Sequence, residues 1–256
     1  MKGKEQASSS QSLEKVDWAE GINEDLMSDA ILRNELTELY RDLSFIPQSW
    51  QDRADYAFIT NRLIETSVRR FAHELQGRVI DVGCGTKPYL PYFSHATAYT
   101  SCDVTAMRCQ VDLICPADRI PVEAQTFDSV LCTEVLEHVP DPLSVMREFY
   151  RILTRDGRVL ITVPMFWPAH EQPWDFRRFP GHGLLHLAYA SSFRVDYLAP
   201  RGGKVAMVGQ VVLTAFQRYF RSRFLRRRWN ETVLCLDSKT RNPLITLGWT
   251  AVLTKV

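Results

Sequence analysis

The stretch Arg78-Val-Ile-Asp-Val-Gly-Cys-Gly-Thr-Lys-Pro sets an apolar run directly before Gly83-x-Gly85. A strand entering two glycines at this spacing must turn sharply, and backbone without Cβ atoms leaves room for a ligand. The dinucleotide fingerprint needs a third glycine at 88, where the chain has Pro88, which argues against a nicotinamide or flavin cofactor. No Gly-x-x-x-x-Gly-Lys-Ser/Thr run occurs, which removes a P-loop. Asp103 ends the next apolar run, 18 residues beyond Gly85. A carboxylate there offers two acceptor oxygens in one plane, as a vicinal diol requires.

Two further groups carry chemistry. Glu134, Glu137 and His138 stand at i, i+3 and i+4 and would share one helix face. An imidazole, with an ordinary pKa of about 6.5, suits removal of a proton near neutrality. Two carboxylates and an imidazole also suit a divalent ion, with His170 or His182 as a further ligand, or cofactor orientation; no metal is assigned. The third group runs from Pro164 to Phe179 and sets His170, Asp175 and Arg178 among Phe166, Trp167, Trp174 and Phe176. The rings would wall out water and favour a cation. The polar side chains either hydrogen-bond a hydroxylated acceptor or pair with each other, Asp175 to Arg178.

The elements that must position these groups follow from the hydrophobic pattern. Strands are expected at Arg78–Val82, Tyr99–Asp103, Val111–Ile114, Phe127–Cys132, Arg158–Val163, Phe193–Leu198 and Trp249–Thr254. A helix is expected from Asp141 to Leu153, with Pro142 in its first turn and Asp156-Gly157 beyond its end. Strands alternating with helices give an α/β fold with a mostly parallel sheet covered on both faces. Before it, Ile22, Leu26, Leu32, Leu36, Leu39 and Leu43 recur at helical spacing. Ile59, Leu63, Ile64, Val68, Phe71 and Leu75 form a second stripe that ends at Gly77.

Composition narrows the classes. The chain has 256 residues, 45% hydrophobic and 24% charged, with a net charge of +1. That balance gives no global attraction to nucleic acid. It is local, however: Lys204 to Trp229 carries seven basic residues and no acidic one. Residues 210–228 are expected to form one basic helix with a stripe of Val212, Phe216, Tyr219, Phe220 and Phe224. Such a stripe packs on the domain or a twin subunit, or makes peripheral membrane contact through 212–229. The six cysteines include no CxxC pair, and the first residues lack the apolar core of a secretory signal, so a cytoplasmic protein is expected.

In its order of motifs the chain resembles the class I S-adenosylmethionine-dependent methyltransferases, type 11-like. The motifs are Asp81 with Gly83-Cys84-Gly85; Asp103; Ile120-Pro121 followed by Thr126-Phe-Asp-Ser-Val-Leu-Cys132; Thr133-Glu-Val-Leu-Glu-His-Val139; and Arg151-Ile-Leu-Thr-Arg-Asp-Gly-Arg-Val-Leu-Ile161. The branch that matches best pairs Gly-Cys-Gly-Thr-Lys-Pro-Tyr with His-x-x-Pro-x-Asp-Phe-x-Arg-Phe, and its proteins look like methyltransferases of bacterial glycan or secondary-metabolite pathways. The resemblance implies a Rossmann-like seven-stranded sheet with an N-terminal helical extension. The Ser, Gln and Lys content of 1–15 predicts a disordered tail and the residue pattern a basic helical insertion at 204–236, while the resemblance implies a helical lid at 16–76, the cofactor domain at 77–203 and its last strand within 237–256.

For the site, the resemblance implies S-adenosyl-L-methionine held by Asp81, Gly83, Cys84, Gly85, Lys87, Asp103, Val104, Ala117, Asp118, Thr133 and Glu134. Lys87 stands where the family has its third glycine, and either meets the cofactor carboxylate or points to solvent. His138, His170 and Asp175 are the expected catalytic groups, and Trp167, Trp174 and Arg178 the expected acceptor contacts. The acceptor is expected to be a small molecule or glycan methylated on oxygen, and the enzyme a monomer or homodimer. Two rivals remain: a cofactor-binding enzyme with a non-methylating reaction such as cyclisation, and a silent fold that binds membrane or a partner.

Overall fold

A computed structural model describes residues 52–106, 109–238 and 245–256. The expected helix at 22–43 and the tail at 1–15 lie outside the described residues. Seven strands form one sheet: β1 (Arg78–Val82), β2 (Ala98–Asp103), β3 (Leu113–Ile114), β4 (Phe127–Thr133), β5 (Leu153–Pro164), β6 (Phe193–Arg201) and β7 (Gly248–Lys255). Their order is β3-β2-β1-β4-β5-β7-β6. All neighbours from β3 to β5 are parallel, and β7 runs antiparallel to both β5 and β6. All seven expected strands are present.

Burial on both faces explains their near-continuous apolar sequences. Val79, Leu131, Leu160 and Val252 point to one face, where helix α1 (Phe58–Phe71) supplies Ile64, Val68 and Phe71. Ile80, Val130, Cys132, Val159 and Ile161 point to the other, against helices α2 (Pro142–Ile152) and α3 (Gly181–Ala190). Helix α2 forms where the sequence places it. The Asp141 side chain accepts from the Leu143 N–H at 2.9 Å, Pro142 opens the first turn, and Val145, Met146, Phe149 and Ile152 make one buried stripe.

Several element bounds differ from expectation. Strand β3 keeps only Leu113–Ile114; at Asp112 the carboxylate accepts from the Ser101 N–H at 2.7 Å while the Asp112 N–H donates to the Ser101 carbonyl at 3.1 Å. Strand β5 begins at Leu153, ahead of Asp156-Gly157, and its register against β4 jumps between Phe127 and Ser129. Between β1 and β2 the chain makes only a short 3-10 turn, Leu90–Phe93; Pro88 and Pro91 have no N–H to give a longer helix.

The largest difference is the basic helix. Residues 210–228 do not form one helix but parts of two, α4 (Lys204–Ala215) and α5 (Arg223–Asp237). The break follows from Ser222, whose hydroxyl accepts from Leu225 N–H and starts a new helix. The expected aromatic stripe is therefore split. Phe220 packs on Trp229 with ring centroids 5.3 Å apart, while Phe216, Tyr219 and Phe224 are exposed. Helices α4 and α5 join α1 in a small core of Ile59, Ala206, Val233 and Leu247. No described helix is long and apolar enough to cross a membrane.

Candidate active site

Ligands of an open α/β sheet bind beyond the carboxyl ends of its strands, and the expected site residues gather there. At the end of β1 the backbone turns through Gly83 (φ +71°) and Gly85 (φ +53°). The Gly83 and Cys84 N–H groups both donate to the Cys102 carbonyl, at 2.8 and 3.1 Å, which ties the loop to β2. The same tie commits the Cys84 N–H. Burial pushes the Cys84 thiol up to about 12, so it stays protonated. Lys87 also has a positive φ, +56°. That left-handed conformation is one that glycine adopts without steric cost.

Asp103 closes the loop from β2. One carboxylate oxygen accepts from the Gly85 N–H at 3.0 Å and the other from the Thr105 N–H at 3.2 Å. Each oxygen keeps lone-pair capacity for a further donor. Asp81 is buried and accepts a hydrogen bond from the Tyr99 hydroxyl; its other oxygen has no hydrogen-bond partner among the described residues. Burial raises its pKa to about 7, with Asp103 adding to the rise and Tyr99 and Lys87 opposing it. Ala117 is buried beside Asp118, which has one shielded and unpartnered oxygen, and Val104 is exposed after Asp103. Two orphaned acceptors beside open backbone fit a ligand that brings its own donors.

After β4 the chain departs from the expected helix face. Glu134 has a φ of +54°, and only Leu136–His138 form a 3-10 turn. Glu134 therefore does not share a face with Glu137 and His138. Its carboxylate accepts from Thr162 at 2.9 Å and from the buried Arg201 guanidinium at 2.8 Å. Arg201 was not legible as a site residue; its signal in the sequence is an arginine that closes the run Tyr197-Leu-Ala-Pro-Arg201 before Gly202-Gly203. Glu137 is fully buried, and burial, with Glu134's charge adding, raises its pKa well above the ordinary carboxyl value.

His138 and His170 meet across 32 residues of sequence, their Nε2 atoms 3.1 Å apart. The His138 Nδ1 lies 2.7 Å from the Trp174 carbonyl, and that of His170 lies 3.2 Å from the Pro168 carbonyl. Burial, reinforced by His170, lowers the pKa of His138 below 6.5. Asp175 and Arg178 pair with each other through two bonds of 2.5 and 2.9 Å. Asp175 also accepts from the His170 N–H at 2.9 Å, and Arg178 donates to the Trp167 and Pro168 carbonyls. Both side chains thus shape the loop that carries His170.

A narrow cavity of about 40 Å³ is lined by Tyr56, Trp167, Pro168, His170, Gln210 and Thr214, among others. Of the expected aromatic wall only Trp167 lines it. Phe166, Trp174 and Phe176 are exposed, and Trp174 serves the site through its carbonyl. A larger open groove of about 630 Å³ lies at the opposite edge, among His73, Asp128 and Arg158. It adjoins the starts of β1 and β4, the wrong end of the sheet for this fold's ligands.

A family model described as "Methyltransferase domain" matches residues 52–231. The chain belongs to that family. A phosphatidylethanolamine N-methyltransferase of Cereibacter sphaeroides is 28% identical over 138 residues, 47% of this chain and 68% of that protein. A ubiquinone biosynthesis O-methyltransferase of Xanthomonas oryzae pv. oryzae is 30% identical over 111 residues, 36% of this chain. The match spans only 45% of that second relative's length. In fold, the methyltransferase is similar to a Burkholderia thailandensis 1,6-didemethyltoxoflavin-N1-methyltransferase solved with bound 1,6-didemethyltoxoflavin and S-adenosylhomocysteine. The TM-score is 0.50 at 20% identity, covering 89% of this chain and 88% of that one. This is an S-adenosylmethionine-dependent methyltransferase with the Rossmann-like fold.

Proposed function

We propose that the enzyme methylates an oxygen of a small-molecule, secondary-metabolite or glycan acceptor, held beside His138 and His170. S-adenosylmethionine supplies an electrophilic methyl group on a sulfonium. The protein's part is to align the acceptor, exclude water and deal with one proton. Asp103 would hold the ribose hydroxyls, the backbone at 83–85 the amino-acid end, Asp81 the ammonium, and Asp118 the adenine amine. Lys87, Val104, Ala117, Thr133 and Glu134 would complete that wall, Glu134 from a position fixed by Arg201.

The observation that carries the choice of oxygen is the imidazole pair. A hydroxyl must lose its proton as the methyl arrives, whereas a neutral amine attacks with its lone pair and loses its proton afterwards. His138 and His170 provide two ring nitrogens on the acceptor side, with orientations set by the Trp174 and Pro168 carbonyls. Trp167 and Tyr56 line the adjoining cavity. The O-methyltransferase relative acts in ubiquinone biosynthesis by its name, which agrees with oxygen as the acceptor atom.

Incubation with S-adenosylmethionine and panels of phenols, catechols and glycans, read by mass spectrometry, tests the proposal. The expected product gains one methylene's mass on oxygen and disappears in His138→Ala. Methyl gain on nitrogen overturns the oxygen assignment. A product isomeric with its substrate supports the cyclisation rival.

A further inference from the structure

Both histidines are fixed in the same tautomer. A carbonyl oxygen only accepts, so the Nδ1 of His138, 2.7 Å from the Trp174 carbonyl, carries its proton. The Nδ1 of His170 faces the Pro168 carbonyl at 3.2 Å and an Asp175 oxygen at 3.5 Å, and it carries a proton for the same reason. Each neutral ring then has a lone pair on Nε2, and these two atoms lie 3.1 Å apart. Two lone pairs at that distance repel. Something positive belongs between them.

A shared proton would answer the imidazoles but not Glu137. That side chain is 0% exposed, and neither of its oxygens has a hydrogen-bond partner among the described residues. One of them stands 3.7 Å from the His138 Nε2, too far for a hydrogen bond. The three ligand atoms, one from each side chain, lie within 4.8 Å of one another. A single cation satisfies all three at once, whereas a proton shared by the imidazoles leaves both buried Glu137 oxygens without a partner.

We infer that Glu137, His138 and His170 bind one divalent transition-metal ion, which receives an oxygen of the acceptor. The assignment rests on the acceptor-side reading above and changes one part of it: with both Nε2 atoms on the ion, the ion would acidify the bound acceptor hydroxyl, whose proton passes to water and not to an imidazole. Bonds of about 2.1 Å from two nitrogens 3.1 Å apart meet near a right angle, the relation of neighbouring octahedral positions. Two imidazoles and one carboxylate leave further positions for water or an acceptor oxygen, and they suit Mn²⁺, Fe²⁺, Co²⁺ or Zn²⁺. The Trp174 and Pro168 carbonyls and Asp175 orient the two rings from behind, as outer partners of metal-binding histidines do. The set is not the one that spacing alone would assemble: Glu134 is turned away to Arg201 and Thr162.

The full-length protein, stripped with a chelator and free of cofactor and acceptor, is titrated with Mn²⁺ by electron paramagnetic resonance and with Zn²⁺ by calorimetry. One ion per chain is expected. His170→Ala and Glu137→Gln should each weaken binding about tenfold or more, and Glu134→Gln should leave it within about threefold, since that carboxylate is no ligand. Circular dichroism identifies any variant that fails to fold, and His170→Ala, on a loop, carries the test if Glu137→Gln does. No stoichiometric binding, or binding unchanged in His170→Ala, overturns the inference, as does loss of binding in folded Glu134→Gln. Titration of the stripped protein with S-adenosylmethionine reads the cofactor site separately, so a lost metal site and a lost methyltransferase reading are told apart.

Discussion

Gly83 and Gly85 stand two residues apart, both with positive φ, yet a methyl group would meet different surroundings at each. A Cβ at Gly83 would lie 2.2 Å from a Val135 methyl, whereas at Gly85 it would meet nothing within 4 Å. Gly83→Ala should therefore combine backbone strain of about 1–2 kcal/mol with a collision in the core. Gly85→Ala should show the strain alone in thermal denaturation, yet lose cofactor affinity by a larger factor, because the open space is where the cofactor would sit. Equal affinity loss per unit of stability lost in both variants would contradict this.

Asp81 gives a second test at the same scale. Its pKa, raised from 3.8 to about 7, means that the folded state holds a proton more tightly than the unfolded chain. Its stability contribution is full below 3.8 and is lost as pH rises through about 7. A cationic cofactor favours the ionised carboxylate, so binding at pH 7 should release part of a proton. Calorimetry in phosphate and in Tris should return different binding enthalpies, and Asp81→Asn should remove the difference while keeping the fold intact at pH 8. The same enthalpy in both buffers for the wild-type protein would show that Asp81 does not sense the cofactor.

Among the elements, the segment from 216 to 228 separates arginines that look alike in sequence. Arg226 donates to the Ala54, Phe220 and Arg221 carbonyls and lies 4.6 Å from the centroid of the Tyr56 ring, joining the start of α5 to the segment before α1. Arg221 is exposed. Arg226→Ala should lose about 1–2 kcal/mol in urea denaturation, and Arg221→Ala should stay within about 0.5 kcal/mol of wild type. The reverse order would mean that α4, α5 and α1 are not tied together in this way.

The glycine loop, Asp103, α2 and all seven strands were legible because their causes are local: an apolar run, a turn residue, a cap. The break between α4 and α5 was missed because the aromatic residues keep near-helical spacing through it; only the Ser222 cap marks the new start. Pairings across long sequence separations were not legible either. Arg201 reaches Glu134 across 67 residues, and Tyr99 reaches Asp81 only once β1 and β2 are in register. The His138–His170 meeting was half legible. The residue types stood out, but their common tautomer comes from two carbonyls that no side-chain pattern announces.

For the molecule as a whole, the sheet brings the cofactor side and the acceptor side to one edge. Strands β1 and β2 carry the loop and Asp103, β4 leads to His138, and the chain after β5 returns with His170. The bend at 83–85 and the Asp103 carboxylate would together hold S-adenosylmethionine. Calorimetry of that compound against wild type and Asp103→Ala tests it most directly. Saturable one-to-one binding is expected, weakened in the variant by about 1.5–3 kcal/mol through loss of charged hydrogen bonds. Absence of binding at millimolar ligand, or equal affinity in a folded Asp103→Ala protein, would contradict the account.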